Sequence, residues 1–323
     1  MNRAARIGWG LAAVLVVLGV AAGRAWFPAA VEAPYRRVGS WGGAGTAPGR
    51  FRNPIGIAFD AGRVSVADSL NHRIQVFTPD GRFLRSIEVP DRGRPMNLAA
   101  AGGRVYAADY WNDDVLVFSS DGRLLRTFGT PGRSGSAPGE FNSPAGVAVG
   151  PKGNVFVADF YNQRVQELAP DGRFLRQWGH TGKKGYVPAG WFNYPIDVAV
   201  APDGSVYVAD GYNDRIQVFA ADGRFLRKWG GPFAANLRGP FNGWFRTPTA
   251  VAIGPRGAVF VADQENDRIQ KFTPEGRFLT AFGTVHRGPG YTETGVAVAP
   301  DGTVYTTNLI DDRVEVWRAR GGR

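Results

Sequence analysis

Hydrophobic residues along this chain fall into two patterns. An unbroken run, "IGWGLAAVLVVLGVAAG" at residues 7–23, has Arg3 and Arg6 before it and Arg24 after it. Beyond residue 35 the apolar residues come in short groups separated by P-D-G, D-G and N-x-R turns. The stretch "VYVADGYNDRIQVFAADGRFLRKWGG", residues 206–231, shows the second pattern in full. "VYVAD" is apolar at consecutive positions, which predicts a strand covered on both faces. "RIQVF" follows after a tight turn, and a D-G turn supplies the backbone freedom for a hairpin into "RFLRKW". Upstream, a small apolar strand after a proline ("GIAF", "GVAV", "DVAV", "AVAI") completes a unit of four.

That unit repeats. It recurs as "VSVADSLNHRIQVFTPDGRFLRSI", "VYAADYWNDDVLVFSSDGRLLRTFG", "VFVADFYNQRVQELAPDGRFLRQWG" and "VFVADQENDRIQKFTPEGRFLTAFG", then as a shortened "VYTTNLIDDRVEVW". The positions Asp68, Asp109, Asp159, Asp210, Asp263 and Asn308 are spaced by 41, 50, 51, 53 and 45 residues, which suits a four-stranded blade. A two-sheet sandwich would alternate apolar and polar residues more cleanly, whereas stacked blades bury both sides of their middle strands. The sixth copy stops at Trp317 after its third strand, and "YRRVGSWGG", residues 35–43, stands before the first unit like an unpaired fourth strand. Joining the two leaves no open edge. The expected fold is therefore all-β, a six-bladed β-propeller over residues 35–323 closed by its N-terminal strand. One hydrophobic helix within residues 1–25 and a linker, 26–34, are expected before it.

The pattern F-N-x-P … G-x-V-x-V-A-D-x-x-N-x-R-I-Q-V-F-x-x-D-G-x-F-L-R-x-W-G resembles the NHL repeat over residues 35–317. The resemblance implies a six-bladed propeller but no single activity. Such propellers serve as RNA- or protein-binding modules and as extracellular sensor domains, and a related one is the lyase that cleaves peptidyl-α-hydroxyglycine.

Composition narrows the picture in three ways. The absence of cysteine excludes disulfides, thiolate metal sites and cysteine nucleophiles. The net charge of +10 is spread along the chain and favours anionic partners only weakly. The seventeen uncharged residues 7–23 are short for a spanning helix and long for a signal-peptide core, and Ala21, Ala22 and Gly23 also suit cleavage. Residues 1–25 are thus expected to be a signal anchor or a signal peptide, a buried globular helix being the remaining option. In either export reading the body is expected on the extracytoplasmic, periplasmic side, membrane-held through residues 7–23 or secreted after cleavage.

Candidate chemistry divides by repetition. Asp-x-x-Asn-x-Arg occurs intact four times, as Asp68, Asn71, Arg73; Asp159, Asn162, Arg164; Asp210, Asn213, Arg215; and Asp263, Asn266, Arg268. A group needed once for catalysis is not needed in four blades, so these residues are read as scaffold. The aspartate is expected to accept turn N–H groups, the asparagine to take a left-handed position, and the arginine to pair with the aspartate. The second unit departs from this. Asp114 replaces the arginine beside Asp113, and with Asp109 they form either a weak calcium site or an acidic turn balanced by Arg92 or Arg94. No other cofactor is expected.

His72, His180 and His286 are scattered. The resemblance to the lyase would require metal-binding histidines at the starts of the inner strands. The residues there, Ile55, Asn97, Ala145, Ile196, Thr249 and Gly295, include none. Asn97, Asp197 and Thr249 at the channel mouth keep open a metal-dependent hydrolase or lyase, or else fill polar positions among water. There is no G-x-S-x-G, phosphate loop or dinucleotide fingerprint, and no catalytic residue is assigned.

The connectors between blades, four of them long (129–142, 179–193, 230–247 and 284–294), share a face with the turns after the second strands. That face is the expected binding face. Its turn tips carry Tyr110, Trp111, Phe160, Tyr161 and Tyr212, with Lys183 and Lys184 in a neighbouring connector. Aromatic residues rimmed by basic ones suit a protein, peptide or glycan, unless the rings pack under the connectors. An RNA-binding module is a further alternative, but export makes nucleic acid an unexpected partner. The chain is expected to be monomeric.

Overall fold

The computed structural model describes Gly23 and residues 26–181, 188–284 and 292–320. Its strands form six antiparallel four-stranded sheets, one per blade. Blade 1 comprises Pro54–Asp60, Arg63–Asp68, Arg73–Phe77 and Phe83–Glu88, from the axis outward. Blades 2 to 5 repeat this order. In blade 6 the strands Glu293–Val298, Val304–Asn308 and Arg313–Arg318 are completed by Arg36–Gly42 from the other end of the chain. The ring is closed as the hydrophobic pattern predicts.

The core lies between blades. Ala58, Ala67, Ile74 and Val76 of blade 1 pack on Leu98, Val105, Ala107 and Leu116 of blade 2. Equivalent layers separate the other blades, among them Phe51, Val64, Val66 and Phe77 against Tyr305, Val314 and Val316. This is why the middle strands are apolar at consecutive positions: each face meets a different neighbour. Trp41 of the closing strand sits 4.3 Å from the Phe77 ring, centroid to centroid. It also lies against Gly81, whose φ is +90° and where a Cβ would come within 2.4 Å of the indole. The D-G turn therefore needs glycine twice over, for the turn and for the ring resting on it.

Among the described residues no helix is long and apolar enough to cross a membrane. The apolar run 7–23 lies outside the described residues except for Gly23, as do Lys183, Lys184 and His286.

Candidate binding face

Each second-to-third-strand turn is built around one buried carboxylate. Asp210 Oδ1 accepts the Asn193 N–H at 2.8 Å, and Oδ2 accepts Asn213 Nδ2 at 2.9 Å, Arg215 Nε at 2.8 Å and Gln217 Nε2 at 3.0 Å. Asp68, Asp159 and Asp263 hold the same four partners in their own blades. The arginine then reaches the connector, where Arg215 donates to Trp191 O at 2.6 Å and Pro188 O at 3.1 Å. The repeated motif is thus a clamp that holds the connector to the turn, and the glutamine two residues after the arginine is its fourth member.

The left-handed position falls one residue later than expected, after the asparagine. His72, Asp113, Gln163, Asp214, Asp267 and Asp312 all have φ between 49° and 59°. Their side chains reach the start of the next inner strand. Asp113, Asp214, Asp267 and Asp312 accept the N–H of Ser143, Thr247, Thr292 and Asn53 at 2.7 to 2.9 Å. Gln163 accepts from Tyr194 at 3.4 Å, and the His72 ring nitrogen meets Gly93 O at 3.0 Å. Six side chains therefore tie every blade to the next, and Asp312 to Asn53 closes the ring.

This settles the geometry of the acidic turn in blade 2. Asp113 is one of these ties. Asp109 accepts the N–H groups of Arg94, Trp111 and Asn112. Asp114 faces Asp109 across the strand pair, and its Oδ1 has no hydrogen-bond partner. Burial, then the charges of Asp109, Asp113 and Asp91, push the Asp114 carboxyl up to about 8. Among the described residues no group of three or more acidic or histidine side chains is gathered to hold a metal.

Blade 6 exchanges the clamp's groups. Asn308 stands for the aspartate and Glu315 for the glutamine, so the carboxylate moves across the strand pair. Glu315 Oε1 accepts Arg313 Nε at 2.9 Å and Asn308 Nδ2 at 3.2 Å. It also takes Arg37 of the closing strand at 2.9 Å, which couples closure to the clamp.

Above these clamps the turn tips bring aromatic rings together. Tyr110 Oη lies 3.0 Å from Tyr161 Oη, and burial with that contact pushes the Tyr110 phenol up to about 12. Phe160 stacks on Tyr194 at 4.7 Å, and Tyr194 meets Tyr212 edge-on at 5.0 Å. The result is a continuous arc across blades 2, 3 and 4. Tyr194, before the proline of "FNYP", was not singled out by its sequence, although the other blades have Asn53, Arg94, Ser143, Thr247 and Thr292 there. Three of the tip rings are open to solvent, Trp111 at 66% exposed, Tyr212 at 51% and Tyr161 at 47%, while Tyr110 and Phe160 are half-buried.

The arc walls one side of a cavity of about 320 Å³ at the channel mouth. Its floor is the residue after the inner-strand proline or its equivalent: Ile55, Met96, Ala145, Ile196, Thr249 and Thr294. A register shift after that position in every blade sets the next residue one layer deeper. The structurally equivalent deeper set is Gly56, Asn97, Gly146, Asp197, Ala250 and Gly295, so the six positions compared in sequence mixed two layers. Neither layer contains histidine.

Polar groups at the axis mostly join blades. Asn97 Nδ2 lies 3.4 Å from Ile196 O and from Thr249 O, across the channel. Thr249 Oγ1 donates to Thr294 O at 2.9 Å. Asp197 lines the cavity on the opposite side and accepts the Val251 N–H at 2.9 Å. Burial pushes its carboxyl up to about 8.

The NHL-repeat family model matches residues 51–77, 141–168 and 192–219, three of the six blades found in the structure. The chain carries NHL repeats within a six-bladed β-propeller. Locally the chain is 45% identical over 92 residues to peptidyl-glycine alpha-amidating monooxygenase A of Xenopus laevis. That match spans 27% of the chain and only 10% of the relative. Among solved structures, a streptogramin B lyase superposes with a TM-score of 0.58 at 15% identity, covering 84% of this chain and 94% of the other. A structural genomics protein of unknown function from Bacteroides thetaiotaomicron gives 0.67 at 13%, covering 88% and 75%. At these identities the likeness is one of fold.

Proposed function

We propose that this NHL propeller is a non-catalytic binding scaffold on the extracytoplasmic side of the membrane. It takes an extended protein, peptide or glycan ligand on its long-connector face. The observation that carries the reading is the aromatic arc from Tyr110 to Tyr212, partly exposed beside an open cavity. Flat rings with hydroxyl edges offer apolar area and hydrogen bonds to a sugar face or a peptide backbone. Arg94, which lines the same cavity, adds a positive group. Most of the axial polar groups are occupied in joining blades, which favours binding over chemistry.

The test is a triple substitution, Trp111→Ala, Tyr161→Ala and Tyr212→Ala, in the full chain. Exposed residues such as these each contribute within about 0.5 kcal/mol to stability, so the fold is retained. The expected result is loss of crosslinked partners in membranes, with an unchanged melting curve. An unchanged partner set would remove the assignment of this face. A second reading, a metal-dependent hydrolase or lyase at the channel mouth, draws on the partial likeness to an amidating monooxygenase. An equimolar metal ion in protein purified without chelator would favour it.

A further inference from the structure

The linker before the closing strand is held against the propeller and crosses it from one face to the other. The closing strand runs toward the long-connector face, where Gly43 N donates to Asp312 O at 2.7 Å, so Tyr35 starts on the short-turn face. Upstream, the Val31 and Glu32 N–H groups both donate to Leu279 O in the outer strand of blade 5. Glu32 pairs with Lys271 at 2.5 Å. The chain then reaches the connector between blades 4 and 5. Asn242 Nδ2 donates to Pro28 O at 3.1 Å, and Trp244 Nε1 donates to Trp26 O at 2.5 Å. Phe27 stacks on Trp244 at 5.5 Å and meets Phe241 at 4.9 Å, while Trp26 meets Phe233 at 5.6 Å. The apolar run that ends at Gly23 therefore joins the body at the long-connector face.

The same place carries an exposed apolar patch. Phe233 is 77% exposed, and Trp26, Phe27, Leu237 and Phe241 are all exposed beside it or in the same connector. Phe233 also has φ +57°, an unfavourable conformation for an aromatic residue, while its ring remains largely in solvent. Arg238, exposed next to Leu237, provides a positive charge at the patch.

We propose that this patch docks on a lipid bilayer and turns the long-connector face toward the membrane. The inference rests on the tethered reading above. Two features select lipid as the occupant. The patch is continuous along the chain with the apolar segment 7–23, and it combines Trp and Phe with Arg, the composition of membrane-interface anchors. The net charge of +10 adds attraction to anionic headgroups. The ligand of the aromatic arc is then met at the membrane surface.

The chain has no cysteine, so a single one can be labelled without background. The full chain carrying Leu237→Cys is coupled to an environment-sensitive fluorophore and reconstituted into phosphatidylcholine vesicles containing phosphatidylglycerol. Ala221→Cys, on an exposed turn of the opposite face, is the control. Nitroxide-labelled lipid is expected to quench the label at 237 about threefold or more over that at 221. Phe233→Ser with Phe241→Ser is expected to abolish the difference while the chain still floats with the vesicles. Flotation with equal quenching at both sites overturns docking but leaves the tether. Protection of the 237 label from aqueous quencher without quenching by lipid overturns it in favour of a protein or second copy on the patch. Failure to float overturns the tether and the docking together.

Discussion

At the scale of single residues, the carboxylates of Asp210 and Asp114 stand in opposite surroundings. Arg215 is wholly buried and serves Asp210 together with the connector carbonyls of Pro188, Trp191 and Ala234. Arg215→Met would leave the Asp210 charge buried without its cation, a loss of about 3–5 kcal/mol. Arg268 makes the equivalent pair with 14% of its side chain exposed, so Arg268→Met should cost less. Denaturant midpoints of the two variants check the order, and equal losses would contradict it. Asp114 is the opposite case. Its carboxyl is raised from the ordinary 3.8 to about 8, so the folded state holds a proton that the unfolded chain releases. The associated stability is complete below about pH 4 and is lost as pH rises through 8. Asp114→Asn should therefore be more stable than the parent above pH 8, by about 1–3 kcal/mol, with the gap shrinking toward pH 4. Parallel stability curves across that range would mean that Asp114 is ionised throughout.

At the scale of elements, the strands were legible because each carries its own signature: consecutive apolar positions, a D-G turn, a proline before the inner strand. What escaped was set by contacts between elements. The ties made by Asp113, Asp214, Asp267 and Asp312 look like ordinary turn acids, because their partners lie 25 to 33 residues on, or 259 residues back, in the next blade. Asn97 and Asp197 were readable as axial, but the register shift after the prolines hides which layer each occupies. Blade 6 was legible only as a truncated copy. That Asn308 and Glu315 exchange charge becomes visible once the strands are paired. The aromatic tips were found from sequence because they are particular to three blades, whereas Tyr194 falls outside the turn and joins them only through stacking. The docking of Trp26 on the connector around Trp244 spans 218 residues, and no local pattern announces it.

At the scale of the whole molecule, stability depends on a circle closed by non-covalent contacts. The closing strand brings Trp41 onto Phe51 and Phe77, and Arg37 onto the fully buried Glu315. Without it the strand Arg313–Arg318 becomes an open edge, ready to pair with another chain. Deleting residues 26–42 should lower the melting temperature by roughly 5–15 °C and produce concentration-dependent oligomers in size-exclusion chromatography. Connectivity should matter far less than the presence of the strand. Arg36 lies opposite Arg318, so the two ends are already adjacent. A permuted chain with residues 35–43 moved behind Arg318, joined by the turn "AADGR" of blade 4, reproduces the hairpin that the other blades use. It should remain monomeric and melt within a few degrees of the parent. The permuted chain separates strand loss from chain shortening. If it behaves like the deletion, the N-terminal origin of the strand is itself required. If the deletion melts like the parent, the blade-to-blade ties alone hold the ring.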